Sequence, residues 1–196
     1  MKEVKIGIIG LGVMGKKHVD AVEKTDLVRL TAVCDCKKDV ADKCAEENNV
    51  KVYYHANKLI NSGEVDAVLI ATPHYDHTPI TINAFEAGLH VISEKPIAVH
   101  KADAEKMIEA HKKHPELKFT VMFQVRTDNY YKKIKSIIDS GELGEIYRVN
   151  WIVTSWFRTQ TYYNSGSWRA TWEGEGGGVL LNQAPHQQNH HLILHL

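Results

Sequence analysis

Lys5-Ile6-Gly7-Ile8-Ile9-Gly10-Leu11-Gly12-Val13-Met14-Gly15 is the stretch that decides the fold. An apolar run of strand character ends in three glycines at G-x-G-x-x-G spacing, and residues 13–24 continue with a helical period. That order makes the glycines more than an ordinary turn. Gly10 permits the tight reversal, Gly12 lets a pyrophosphate approach the backbone, and Gly15 lets helix and strand pack closely. The amino terminus of the helix, opened by Val13 and Met14, then points its free N–H groups at the anion.

Asp35 lies 20 residues beyond Gly15, at the end of a second apolar run. An acidic side chain there accepts from a ribose 2′-hydroxyl, which favours NAD. Lys37 and Lys38 lie close enough to offset a 2′-phosphate, so NADP stays open. So does a humbler role for Asp35 as a cap on the next helix.

Working outward, short apolar runs alternate with longer amphipathic ones through residue 123, the pattern of parallel strands joined by helical crossovers. Strands are predicted at 4–9, 29–34, 52–53, 67–70, 90–92 and 119–123. Helices are predicted at 13–24, 37–47, 78–87 and 101–111, with Gly88 capping the third. Strands this short and apolar belong in a sheet covered on both faces. The pattern changes after Phe123: 130–140 has a helical period closing on Ser140-Gly141, and 146–157 reads as one long strand rich in aromatics. The expected fold is therefore α/β, with a dinucleotide-binding parallel-sheet domain over 1–123 and the start of a second, α+β open-sheet domain over 124–196. No repeat or low-complexity tract is evident, and 174–178 is the one glycine-dense stretch.

Composition narrows the partners. The 196 residues carry 24 Lys plus Arg against 24 Asp plus Glu, so no overall field draws the chain to nucleic acid or to an anionic membrane. The longest apolar runs, such as 67–71, fall well short of the roughly 20 residues a membrane span requires. Residues 1–5 run straight into a strand, leaving no room for a signal segment, and the expected location is cytoplasmic. Three cysteines, Cys34, Cys36 and Cys44, argue against a disulfide framework and, without a second cluster, against zinc.

At this point the sequence resembles the glucose-fructose oxidoreductase and inositol dehydrogenase family, Gfo/Idh/MocA. The likeness runs from residue 4 to about 187. It rests on the glycine fingerprint, on Ala71-Thr72-Pro73 with His77, on Ala87-Gly88-Leu89-His90-Val91, and above all on Glu94-Lys95-Pro96. Gln124-Val125-Arg126, Gly141-Glu142-Leu143-Gly144-Glu145-Ile146, Trp168-Arg169 and Gly176-Gly177-Gly178 ending at His186 follow in the family order.

The resemblance implies a two-domain oxidoreductase with NAD or NADP on the Rossmann domain, covered by a large open sheet through which full-length members form homo-oligomers. Its substrates would be sugars, sugar derivatives or cyclitols, with no nucleic-acid or membrane partner. By position, Ala71, Thr72, Pro73 and His77 line the cofactor path. Glu94 and Lys95 lie by the nicotinamide ribose and the reacting hydroxyl. Gln124 and Arg126 also reach the cofactor, and Trp168 and Arg169 close over it.

Oxidising a secondary alcohol needs a cation beside the hydroxyl and a base for its proton; Lys95 and His186 have the right chemistry. Asn182 stands where the family usually has an aspartate that orients that histidine. An asparagine holds an imidazole by hydrogen bonding without the compensating charge. Asn129 replaces a common proline and Val125 a common asparagine.

Residues 188–196 leave the family pattern, and family members run well beyond this point. His186 with His190, and His191 with His195, have helical i, i+4 spacing, but no carboxylate or cysteine completes a metal site, so none is expected. A strand at 146–157 without its neighbours would be an open template, so self-association is expected of the whole chain and not of a piece ending near Phe123. Two other readings remain: an NAD-dependent glycosidase on the same scaffold, and a cofactor-binding fragment without catalysis.

Overall fold

The structure is a computed structural model that describes residues 3–152, 154, 157–166, 168–186, 188 and 189. The chain packs as two compact units, Met1–Met122 and Phe123–Leu196.

In the first unit β1 (Val4–Ile9), β2 (Val28–Cys34), β3 (Lys51–Tyr53), β4 (Ala67–Ile70), β5 (His90–Ser93) and β6 (Phe119–Val121) form one sheet in the order β3-β2-β1-β4-β5-β6. Every neighbouring pair is parallel. The crossovers are α1 (Val13–Val22), α2 (Lys38–Asn48), a short α3 (Ala56–Ile60), α4 (His77–Glu86) and α5 (Lys101–Lys112). Strand order reverses between β1 and β4, which opens a crevice at their carboxyl ends.

The period-two alternation of strand side chains divides the core between the two faces of the sheet. Ile9, Ala32, Cys34, Val68, Ile70 and Val91 pack with Leu59, Phe85 and Leu89 on one face. Ile6, Ile8, Val33, Ala67 and Leu69 pack with Leu11, Val19 and Ala41 on the other. At about 1.5–3 kcal/mol for each fully buried aliphatic side chain, these two layers dominate the stability of the unit.

In this unit the six predicted strands and the four longer helices form with their ends shifted by at most a residue or two. Gly88 takes φ 77° just past α4 and donates its N–H to the Phe85 carbonyl, the cap expected of it. Helix α3 was not predicted because five residues are too few to carry a helical period.

All three thiols are free; Cys34 and Cys44 are buried and Cys36 is exposed. Burial, with Asp35 and Cys36 adding to it, pushes the Cys34 thiol up to about 12, and burial also raises Cys44. In the folded chain at about pH 8, a thiol reagent should therefore label Cys36 alone, and the other two only on unfolding. Fast labelling of two or three sites in the native protein would contradict this packing.

The second unit holds α6 (Asn129–Asp139), α7 (Gln160–Asn164) and α8 (Val179–Asn182). Asp128 caps α6 by accepting the Tyr130 N–H at 2.8 Å. The long strand expected over 146–157 is not formed: 146–152, 154 and 157 have no regular structure, and 153, 155 and 156 lie outside the described residues. Aromatic and β-branched residues supply strand propensity, but a ladder needs a neighbour, and no strand occurs among the described residues of this unit. The open strand edge on which the expected self-association partly rested is absent from 146–152, while Tyr147, Ile152 and Phe157 are exposed. Tyr131 instead stacks on Trp151, with ring centroids 6.2 Å apart. No described helix is long and apolar enough to cross a membrane.

Candidate active site

The glycine loop joins β1 to α1 as its spacing implies, and two of its glycines are enforced by contact. A Cβ on Gly10, whose φ is 91°, would lie 2.7 Å from the Ala71 carbonyl group; one on Gly15 would lie 1.9 Å from the Gly10 carbonyl oxygen. Gly12 differs. Nothing lies within 4 Å of the place its Cβ would occupy. It is the N-cap of α1, whose first turn holds no acidic residue, so the amides of Val13, Met14 and Gly15 face an anion site without competition. That open space suits a pyrophosphate, and nearby the buried Thr72 Oγ1 has no hydrogen-bond partner among the described residues. Both features fit a dinucleotide.

Asp35 follows β2 and is held from two sides. Its Oδ2 accepts the Leu11 N–H at 2.8 Å and its Oδ1 accepts the Lys37 N–H at 2.9 Å. The carboxylate thus braces the glycine loop and the entry to α2 together, although the N-cap of that helix is Lys37. Each oxygen keeps a lone pair for a ribose hydroxyl. The Lys38 ammonium lies 5.3 Å from the centre of the Tyr54 ring, whose hydroxyl donates to Asp42 at 2.6 Å. A 2′-phosphate would therefore meet the Asp35 charge while Lys38 is engaged elsewhere. NAD should bind at least about tenfold, or ~1.4 kcal/mol, more tightly than NADP. Equal affinities in parallel titrations would mean that the lysines govern the pocket.

The ends of β4 and β5 supply the next group. His77, at the start of α4, is fully buried, with Nδ1 2.9 Å from the Pro96 carbonyl oxygen and Nε2 3.1 Å from that of Thr72. Burial lowers its pKa, against the opposing pull of both carbonyls, Glu94 and Asp76. A neutral ring carries one N–H and so donates to one carbonyl at a time. Glu94 is buried. Its Oε1 lies 2.7 Å from His18 Nε2 and its Oε2 accepts the Lys95 N–H at 3.2 Å. His18 on α1 was missed by the sequence reading, although its spacing of three from Gly15 sets it one turn along the face that meets the sheet.

In the second unit, Arg169 stacks on Trp168 and Tyr162, at 4.5 and 4.6 Å from the ring centres, and donates to the Tyr162 hydroxyl at 2.8 Å. Arg158 stacks on the same tyrosine at 4.8 Å. A cleft of about 480 Å³ is lined by Arg158, Tyr163, Trp172, Glu175, Asn182 and Gln183, among others. Glu175 is buried there, accepting from the Asn182 amide and, at 3.0 Å, from the Ala170 N–H. It too was missed; a lone acid within a glycine run is the signal that marks it. Helix α8 ends at Asn182, so the i, i+4 relation to His186 is not that of one continuous helix. The His186 ring packs edge-on to Phe123 at 6.1 Å. Gln124 opens a 3-10 turn, and Arg126 donates to Asn189 while lying over Phe123. Among the described residues no group of three or more His, Cys, Asp or Glu is placed to hold a metal, and His190, His191 and His195 lie outside them.

A parallel sheet with a glycine loop at its switch point and an acid after β2 defines a dinucleotide-binding protein. Residues 4–123 match the model of the oxidoreductase family with an NAD-binding Rossmann fold, and 131–194 match the Gfo/Idh/MocA C-terminal domain. The chain belongs to the Gfo/Idh/MocA oxidoreductase family. An inositol 2-dehydrogenase of Salmonella paratyphi B is 34% identical over 145 residues, covering 72% of this chain and 43% of that protein. The scyllo-inositol dehydrogenase of Lactobacillus casei, solved with NAD(H) and scyllo-inositol, matches with TM-score 0.71 and 32% identity over 74% of this chain and 43% of that one. The WlbA dehydrogenase of Bordetella pertussis, solved with NADH and UDP-GlcNAcA, matches with TM-score 0.89 and 28% identity over 99% of this chain and 57% of that one. The chain thus spans about half the length of the relatives it matches.

Proposed function

We propose that this protein oxidises a secondary hydroxyl of a cyclitol, sugar or sugar derivative at the expense of NAD. The observation that carries the reading is the loop after β5. It sets Lys95 between a buried carboxylate and a proline whose carbonyl meets His77, at the same carboxyl edge of the sheet as the glycine loop. The relatives support the substrate class, being named for inositols or solved with scyllo-inositol or UDP-GlcNAcA.

NAD, when bound, supplies the acceptor for the hydride. The N–H groups of Val13, Met14 and Gly15 bind the pyrophosphate at Gly12, Asp35 takes the ribose hydroxyls, and Thr72 offers its hydroxyl to the same ligand. Lys95 donates a hydrogen bond to the substrate hydroxyl and stabilises the charge that develops as its proton leaves, and His186 receives that proton. Asn182, held by Glu175, forms part of the wall of the cleft in the second unit.

The test is to incubate the chain with NAD and a panel of inositols, hexoses and nucleotide sugars, following absorbance of reduced nicotinamide. NADH formation with at least one of them is the expected result. Saturable NAD binding with no turnover across the panel would reduce the protein to a cofactor-binding module.

A further inference from the structure

Glu94 is 7% exposed and its carboxylate is used at both oxygens: one takes the Lys95 N–H, the other meets His18. The main chain around it is already fixed. The Glu94 N–H goes to the Ile70 carbonyl on β4, Ser93 Oγ donates to the Glu94 carbonyl, and the Met122 N–H goes to that of Ser93. The side chain, by contrast, is oriented from outside the strand ends by His18, at 2.7 Å and with both side chains almost buried. His18 belongs to α1, the helix whose amino terminus opens on the space above Gly12. On the far side of the loop His77 meets the Pro96 carbonyl from α4. Lys95 is therefore bracketed by two histidines, each from a different helix.

We infer that His18 is a positioning residue: by fixing the Glu94 carboxylate it holds the main chain of Lys95 in register with the pyrophosphate site on its own helix. The consequence for catalysis rests on the role proposed for Lys95; the effect on the loop does not. A hydrogen bond between partly buried groups, with at least one of them charged, is stronger than a neutral one, so its loss frees both the carboxylate and the amide it accepts from. A pair that merely stabilised the fold would cost thermal stability and leave the loop and the turnover of the folded protein unchanged.

His18→Leu removes the donor and keeps most of the volume, while His18→Gln restores a neutral donor of similar reach. In His18→Leu, the Lys95 amide should exchange its hydrogen at least about tenfold faster, and turnover with saturating NAD and substrate should fall about tenfold, while the dissociation constant for NAD stays within about threefold. His18→Gln should recover most of both losses. An unchanged Lys95 amide in His18→Leu overturns the inference, as does a turnover that moves only with the melting temperature, or a glutamine variant no better than leucine. Should the unsubstituted chain show NAD binding without turnover, the proposed function fails separately. Hydrogen exchange at Lys95 and its recovery by glutamine then decide the role of His18 by themselves.

Discussion

Replacing Lys95 by methionine is expected to leave NAD affinity within about threefold while turnover falls by two orders of magnitude or more. Methionine keeps the unbranched stem and removes the ammonium, so it isolates the charge. The glycine loop is shaped by Gly10 against Ala71, by Gly15 against Gly10, and by Asp35 on the Leu11 amide. Uniform binding should survive, and only the interaction that strengthens as the hydroxyl loses its proton should vanish. A loss of less than about tenfold would make Lys95 a structural residue and would remove the chemistry from this loop.

The second large effect separates two glycines three positions apart. Gly15→Ala would set a methyl group 1.9 Å from the Gly10 carbonyl oxygen, a backbone atom that cannot step aside unless α1 moves off the sheet. Overpacking of this kind costs about 3 kcal/mol or more, so the variant should melt well below the parent and bind NAD poorly. At Gly12 the same substitution meets no atom within 4 Å, and its φ of −67° suits alanine. Gly12→Ala should therefore fold as the parent does and lose at least about tenfold in NAD affinity, because the methyl group enters the space a pyrophosphate needs. Calorimetric melting with NAD titration separates the outcomes. A Gly12→Ala variant that binds NAD normally would mean that the ligand does not approach there.

Much of the first unit was legible because its chemistry is local. Ile6, Ile8 and Ile9 on one strand, and Val68, Leu69 and Ile70 on another, are apolar on both faces, which only a doubly covered sheet tolerates. The glycines announce their turn by spacing alone. What escaped depends on partners distant in sequence. His18 is an ordinary polar helix residue until β5 brings Glu94 to it across 76 positions. Asp35 was read for a ligand, yet its carboxylate also braces Leu11 across 24 positions, which no propensity reveals. In the second unit the reading of 146–157 as a strand failed because β-propensity describes a residue's fit to a sheet, not the presence of one. Glu175 was passed over as a charge in a glycine run, and its burial against Asn182 and Ala170 is a property of the folded unit.

The claim that the loop at Gly10–Gly15 and the strand ends around it form an NAD site is tested most directly by an amide-resolved NMR titration of the chain with NAD. Saturable shifts are expected at Gly12, Val13, Met14 and Gly15, with smaller ones at Leu11, Asp35, Thr72 and Lys95, all following one binding curve. Unmoved amides at Gly12 to Gly15 while other residues respond, or no saturation at millimolar NAD, would contradict it.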